Sequence, residues 1–233
     1  MSDPPSIRQS ARRVGLSDLV YNDVKNRLLA GEFREPDSIP IDKLATELSV
    51  SRHPVMEALK RLSVEGFITI LPQIGCRVRR YEPSEISDFF RLFAEGEALI
   101  AELAAERADK TNIAAMSEIS ARIGRLRQAR DSTAAIGLEY RSLNRQLHFE
   151  MRRAARSVPV AEIVESLGDR SDFFIAASRQ PLFTDRLARA HDEHEAIIAA
   201  IERRDPARAR EVMRIHILHI EERLRTTFAD PPP

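Results

Sequence analysis

Histidine is the residue type best placed for chemistry in this sequence, and five of the six histidines lie after residue 140. Asn144 and His148 are four residues apart and fall on one apolar stripe with the spacing of a helix. Two later stripes also contain imidazoles: Leu187, His191, His194, Ile198 and Ile201 in one, and Ala209, Met213, His216, Ile220 and Leu224 in the other. Three helices are therefore predicted to direct an imidazole inward.

Inward-facing imidazoles need partners, because an unpaired buried polar group costs about 1–3 kcal/mol. A shared divalent metal ion would satisfy several of them at once, and imidazole and oxygen ligands suit zinc, nickel, manganese or iron. In the metal-free alternative, the histidines hydrogen-bond to one another, to neighbouring side chains or to water. The residues alone leave both interpretations open.

A metal-dependent hydrolase is a further alternative, because three histidines around an open metal are also a catalytic arrangement. Glu97 interrupts an apolar stripe and is the only obvious general base. Glu150 and Glu193 adjoin the histidines in sequence but are predicted to point away from the stripes. No recognised catalytic motif surrounds these residues, so we favour a protein that is not an enzyme.

The elements that would position these side chains are helices. After Tyr81 the sequence has no strand pattern, and prolines or short breaks separate its amphipathic segments. Six helices are predicted, over residues 84–108, 112–129, 134–156, 159–178, 182–203 and 206–227. Short connections indicate antiparallel neighbours, so this part is predicted to be an all-α bundle.

The part before Tyr81 has a different pattern. A helix is predicted from Ser17 to Gly31, followed by a loop over 35–40 and two further helices, the last with Ser51 as its N-cap and Gly66 at its end. Residues 67–70 and 76–79 alternate around a Pro-Gln-Ile-Gly turn and predict a β-hairpin. The fold class is therefore mainly α, with an N-terminal winged helix-turn-helix and a C-terminal helical bundle.

The winged helix-turn-helix predicts binding to double-stranded DNA. Ser51, Arg52 and His53 begin the recognition helix, where side chains reach base edges, and Arg52 is the main candidate for base contact. Further cations are predicted to hold phosphate or enter the minor groove: Lys60 and Arg61 on the helix, and Arg77, Arg79 and Arg80 on the hairpin. Net charge supports this only weakly, with 13 Lys and Arg against 10 Asp and Glu through Arg80.

Four regions are predicted: a flexible arm over 1–14, a DNA-binding domain over 15–81, a helical ligand-binding and dimerisation domain over 82–228, and a disordered tail over 229–233. No apolar run approaches the roughly 20 residues that cross a bilayer, and no secretory signal is evident, so a cytoplasmic protein is expected. The single cysteine, Cys76, excludes an intramolecular disulfide and a cysteine-based zinc site.

The run LATELSVSRHPVMEALKRL at residues 44–62, followed by Glu65-Gly66 and Gly75, resembles the GntR-type regulators. The resemblance implies a homodimer that binds a short palindromic operator. One position departs from the family pattern: relatives commonly carry a DNA-contacting arginine where this chain has Met56. The operator sequence therefore does not follow from the resemblance.

The helical part resembles the effector domain called FCD, and its six predicted helices resemble the VanR-like branch. The resemblance implies a metal site formed by Asn144, His148, His194 and His216, with zinc as the first candidate. It places His191 and His219 around these ligands or on the surface. Relatives usually carry aspartate at the first position, so asparagine is expected to weaken metal binding.

The same resemblance implies a small-molecule effector whose carboxylate binds at open coordination positions of the metal. Relatives usually carry an arginine and, four residues later, a glutamate on the first helix of the bundle, where this chain has Phe93 and Glu97. Phe93, Glu97 and Asn144 are therefore predicted to contact an organic acid that is larger or more aromatic. The prediction is a repressor whose ligand changes the spacing of two DNA-binding heads.

Overall fold

The computed structural model describes residues 7–33, 37–126, 134–178 and 187–229. These residues form helices with one small sheet, which confirms the predicted fold class. The elements, in chain order, are α1 Ile7–Leu29, α2 Ile41–Glu47, α3 Arg52–Val64, β1 Ile68–Leu71, β2 Gly75–Val78, α4 Pro83–Arg107, α5 Lys110–Leu126, α6 Ala134–Ala155, α7 Val158–Ala177, α8 Leu187–Glu202 and α9 Pro206–Ala229.

The chain divides into two compact units, and the division falls after Tyr81. Residues 172–178 also belong to the first unit, although they were predicted to be part of the helical domain. The ring of Phe173 packs edge-on against Phe67 at 5.5 Å, and that of Phe174 packs against Tyr81 at 4.9 Å. The end of α7 therefore contributes aromatic side chains to the core of the first unit.

Helix α1 begins at Ile7, ten residues before the predicted start at Ser17. Residues 7–14, predicted to be part of a flexible arm, are therefore helical, whereas residues 1–6 of the arm lie outside the described residues. The early start is physically reasonable, because the added residues include no proline. The glycine within them, Gly15, costs a helix only about 1 kcal/mol relative to alanine.

The turn between α2 and α3 is formed by Ser49, which adopts a left-handed conformation with φ of 53°. The Val50 N–H donates to the Ala45 carbonyl at 2.9 Å, and the Ser49 N–H donates to Thr46 at 3.1 Å. This is the hydrogen-bond pattern of a Schellman motif, with serine where glycine is usual. It ends α2 sharply and so allows α3 to start at Arg52.

Helix α3 ends in the same motif, now with the predicted glycine. Gly66 has a φ of 83°, and the Phe67 N–H donates to the Leu62 carbonyl at 3.0 Å. The hairpin that follows is antiparallel, with Ile68 opposite Val78 and Leu71 opposite Gly75. Helix-turn-helix and wing are thus both present.

A short extended segment before α2 pairs with strand β2, which was not predicted. Ser38, predicted to lie in a loop, forms an isolated bridge with Arg77. The Ile39 N–H donates to the Cys76 carbonyl at 2.8 Å, and the Val78 N–H donates to the main-chain carbonyl of Asp37 at 3.1 Å. Residues 35 and 36 of the predicted loop lie outside the described residues.

The six predicted helices correspond to α4–α9, and the second unit contains all of them except the end of α7. Helix α4 packs most extensively against α9 and also contacts α6 and α8. Its first turn is held by Glu85, whose carboxylate accepts a hydrogen bond from the Glu82 N–H at 2.8 Å. Pro181 and the predicted start of the fifth helix at residue 182 lie outside the described residues, as do residues 230–233 of the predicted tail. Among the described helices, none is both long and apolar enough to cross a bilayer.

Candidate metal centre and DNA-binding surface

Helices α6, α8 and α9 bring His148, His194 and His216 together inside the second unit. One ring nitrogen from each lies within 4.8 Å of the other two. The three residues retain 7%, 0% and 5% of their accessible surface. Ring centroids are 4.7 Å apart for His194 and His216, and 5.7 Å apart for His148 and His194. The three predicted inward-facing imidazoles therefore converge at one point.

His194 is the most deeply buried member of this cluster. Both of its ring nitrogens are buried, and neither has a hydrogen-bond partner among the described residues. Burial lowers the pKa of His194 well below its usual value, and the neighbouring His216 and His148 lower it further. The ring is therefore neutral and offers a lone pair, which is the form that binds a metal.

His148 lies beside the buried carboxylate of Glu97 from α4. Its Nδ1 is 3.2 Å from Glu97 Oε2, but the two atoms are not aligned as a hydrogen bond. Burial alone would raise the pKa of Glu97, yet its interactions with His148, Arg152 and His216 more than offset this, and the pKa is lowered. Glu97 is therefore an anion inside the unit, next to the histidine cluster.

His216 has a well-aligned carboxylate partner in Glu193 of α8, and its Nδ1 is 2.7 Å from Glu193 Oε2. The prediction that Glu193 points away from the stripes was wrong. Glu193 precedes His194 by one residue, so it leaves α8 about 100° around the helix, but its long side chain reaches across to α9. Burial would raise the pKa of Glu193, but its hydrogen bonds to His216 and Arg189 outweigh this, and the pKa is lowered.

The remaining histidines of this unit lie outside the cluster. His191 faces α5, with its Nδ1 3.4 Å from the Ser120 hydroxyl. A Cβ at Gly124 would lie 3.0 Å from His191 Nε2, so glycine leaves room for this ring. His219 is half-buried on α9 and bonds Glu193 through its Nδ1 at 2.8 Å. Asn144 lies one turn before His148 on α6 and is half-buried.

Arg152, which follows His148 by one turn of α6, was not predicted to belong to the site. Its side chain is only 11% exposed, and its Nη1 is 3.7 Å from Glu97 Oε1 while its Nη2 is 4.0 Å from Glu165 Oε1. The sequence pattern did not mark Arg152, because its proximity to Glu97 depends on how α6 packs against α4. Phe93, one turn before Glu97, is buried and stacks on Phe89 with a centroid distance of 5.9 Å.

In the first unit, the start of α3 is open to solvent. Ser51, Arg52 and His53 are all exposed. Arg52 retains 68% of its side-chain surface and forms an ion pair with the exposed Asp42 at 3.2 Å. Ser51 is the N-cap residue of α3, as predicted, but its side chain makes no capping hydrogen bond. These polar groups are free of the core and accessible to a partner.

The other residues predicted to contact DNA differ in the interactions that they make within the first unit. Lys60 is exposed and pairs with Glu57 at 3.0 Å. Arg61 lies 4.0 Å over the Tyr21 ring and 2.5 Å from Asp18, so it ties α3 to α1. On the wing, Arg77 is exposed, Arg79 lies 4.5 Å over the Tyr81 ring, and Arg80 is exposed.

Comparisons with known proteins agree with this arrangement of a winged helix and a helical domain. Residues 16–78 match the model of the gntR family of bacterial regulatory proteins, and residues 91–219 match the FCD domain. The Escherichia coli K12 protein HTH-type transcriptional repressor GlaR is 27% identical over 203 residues, which cover 85% of this chain and 90% of that protein. The Nta operon transcriptional regulator of Aminobacter aminovorans is 30% identical over 141 residues, covering 60% and 64%.

A solved structure has the same fold at low sequence identity. It is that of Escherichia coli McbR/YncC, with a TM-score of 0.73 and 20% identity, covering 91% of this chain and 97% of that one. The FCD match alone spans more than half of the 233 residues. The chain therefore belongs to the GntR family of bacterial transcriptional regulators and carries an FCD domain.

Proposed function

We propose that this regulator is a repressor that acts as a homodimer and is controlled by a carboxylate-containing effector at a metal site in the FCD domain. The observation that carries the proposal is the convergence of three buried imidazoles, from three helices, to within 4.8 Å. A helical domain needs no such cluster for its stability, because buried polar groups without partners destabilise a fold.

The residues fit a divalent metal. His194 is neutral and has two unpartnered ring nitrogens, and His216 donates its Nδ1–H to a carboxylate, as metal-bound histidines commonly do. Asn144, one turn before His148, is the proposed source of an oxygen ligand. Zinc is the first candidate because nitrogen and oxygen donors in a three-histidine set suit it, with nickel, manganese or iron as alternatives. When bound, the ion would supply open coordination positions to a carboxylate of the effector.

Arg152 is the proposed second anchor for the effector. Its distances to Glu97 and Glu165, 3.7 and 4.0 Å, exceed the roughly 2.7–2.9 Å of charge-assisted hydrogen bonds. Its guanidinium therefore retains donors for a shorter bond to an anion. Phe93, stacked on Phe89, provides apolar surface near Glu97, which favours an organic acid with an apolar part.

Binding to an operator is proposed through the exposed start of α3 in the major groove, with Arg52 as the base-reading side chain and Lys60, Arg77 and Arg79 at phosphates or in the minor groove. One head reads one half-site, so two copies would read a palindrome. We propose that effector binding changes the placement of the two heads, so that half-site spacing no longer fits. The repressor role follows the name of the relative GlaR, and relief of repression by the ligand is part of the proposal.

The test is a metal and operator assay on the full chain, purified without a nickel column. Wild type should contain about one divalent metal ion per chain, and His148→Ala should lose it. His53→Ala, which changes an exposed histidine of the first unit, should keep the ion. Less than about half an equivalent in wild type, with no response to zinc, would favour a metal-free ligand-binding module.

The DNA arm of the test uses Arg52→Ala. Its binding to the operator should weaken by about 1–3 kcal/mol, whereas its binding to unrelated DNA should change little. Arg91→Ala, an exposed arginine of the second unit, is the matched control. Unchanged specific binding by Arg52→Ala would remove Arg52 from the proposed base readers.

A further inference from the structure

Glu193 connects the histidine cluster to the exposed surface through three polar neighbours. Its carboxylate lies 2.7 Å from His216 Nδ1, 2.8 Å from His219 Nδ1 and 2.9 Å from Arg189 Nε. Arg189 also approaches the other side of His219, with its Nη2 2.6 Å from His219 Nε2. Four side chains from α8 and α9 thus form one connected network.

The chemistry of the partners fixes where the imidazole protons lie. An ionised carboxylate only accepts hydrogen bonds, so the Nδ1 atoms of His216 and His219 both carry protons. A guanidinium only donates, so His219 Nε2 accepts from Arg189 while its Nδ1–H donates to Glu193. With Nδ1 of His216 committed to Glu193, its remaining lone pair is on Nε2.

We propose that Glu193 is a positioning residue: it holds His216 in the Nδ1–H tautomer and in the ring orientation that presents Nε2 to His148 and His194. His219 and Arg189 serve the network by holding the Glu193 carboxylate in place. A histidine without such a partner can carry its single proton on either nitrogen, and only one of the two tautomers leaves Nε2 free to bind a metal.

The purpose of this role rests on the proposed metal site, but the Nδ1–H tautomer of His216 is expected with or without a metal. Glu193→Ala removes the acceptor, whereas Glu193→Gln keeps an oxygen acceptor and loses the charge. Glu202→Gln, an exposed position on the same helix, is the matched control. The two Glu193 variants therefore separate the hydrogen bond from the electrostatic field.

The experiment records long-range ¹H–¹⁵N spectra of the histidine rings in metal-free full-length protein, and zinc affinity by competition with a chromophoric chelator. In wild type and Glu202→Gln, His216 and His219 should both be Nδ1–H tautomers. In Glu193→Ala, the His216 ring should populate the Nε2–H form, and zinc should bind about 10–100-fold more weakly. Glu193→Gln should keep the His216 tautomer, with a smaller loss of affinity.

Two results would overturn the role of Glu193: an Nε2–H tautomer of His216 in wild type, or an unchanged tautomer together with unchanged zinc affinity in Glu193→Ala. The wild-type spectrum decides the first point even where Glu193→Ala does not fold. If the tautomers behave as expected but wild type binds no zinc, the positioning role stands and the proposed metal function fails.

Discussion

The two units of this protein place their predicted functional residues in opposite environments. In the winged helix, Ser51, Arg52 and His53 lie at the surface above an apolar core. In the helical unit, His148, His194 and His216 lie inside, each at most 7% exposed. Among the described residues, buried side-chain atoms without hydrogen-bond partners lie mostly here, on Glu97, His148 and His194. Within the described part of the chain, one further such atom, Asp23 Oδ2, pairs with Arg27 at 2.9 Å.

This difference shows how each unit relates stability to function. A DNA-binding surface adds charged groups outside a core that is already complete, so it costs the fold little. A buried ligand site instead keeps polar groups in the interior, where each unpaired group costs about 1–3 kcal/mol until a ligand binds it. Substitutions should therefore separate stability from function in different ways in the two units.

The largest expected effect is in the core of the winged helix. Leu59→Ala removes a side chain that is fully buried, so the first unit should lose about 2–5 kcal/mol of its free energy of unfolding. Operator binding should fall with it, while zinc binding by the helical unit persists. Calorimetry with and without zinc measures both, and Val64→Ala, 88% exposed on the same helix, is the control. Loss of zinc binding in Leu59→Ala would show that the two units are not separable in this way.

The next effect has the opposite sign. His194→Leu replaces the unpartnered imidazole with an apolar side chain, so the metal-free helical unit should gain about 1–3 kcal/mol in stability. The same variant should lose zinc binding and the stabilisation by zinc. Thermal unfolding in the presence of a chelator tests the gain, and exposed His53→Leu should stay within about 0.5 kcal/mol of wild type. A destabilised His194→Leu would indicate that the histidine is already satisfied in the metal-free protein, and the contrast between the units would weaken.

The sequence predicted the elements and the inward direction of the histidines because both depend on local periodicity. Apolar stripes placed His148, His194 and His216 on inward faces, and prolines separated the helices. Periodicity gave only the inward direction of each ring, and that the three rings meet at one site was implied by the resemblance to the FCD domain. The predicted start of α1 was wrong because Gly15 and Ser17 resemble the start of a helix but do not prevent a helix from running through them.

Contacts made by residues outside the apolar stripes were not predicted from the sequence, because they depend on how the elements pack against one another. Glu193 lies beside the apolar stripe of α8 and meets His216 only because α9 packs next to it. Arg152 approaches Glu97 through the packing of α6 on α4. Pairing of Ser38 with Arg77 is a main-chain interaction, and main-chain hydrogen bonds leave no signature in side-chain pattern. Long polar side chains adjacent to a stripe are thus the positions where periodicity misleads.

The smallest expected effect concerns Ser51, where position and contact disagree. An N-cap serine usually stabilises a helix by about 1 kcal/mol, but the Ser51 hydroxyl makes no capping bond. Ser51→Ala should therefore change the stability of the first unit by less than about 0.5 kcal/mol. Glu85→Ala, which removes the acceptor of the Glu82 N–H at the start of α4, should cost the second unit about 0.5–1.5 kcal/mol.

Operator binding by Ser51→Ala should nonetheless weaken by about 0.5–1.5 kcal/mol if the free hydroxyl bonds a phosphate or a base. Denaturant unfolding and a gel-shift titration on the same preparation separate the two effects. A stability loss near 1 kcal/mol with unchanged DNA binding would mean that Ser51 caps α3 in solution. The exposed residues of the winged helix would then include one that stabilises the fold. The contrast between the two units in how they relate stability to function would be weaker.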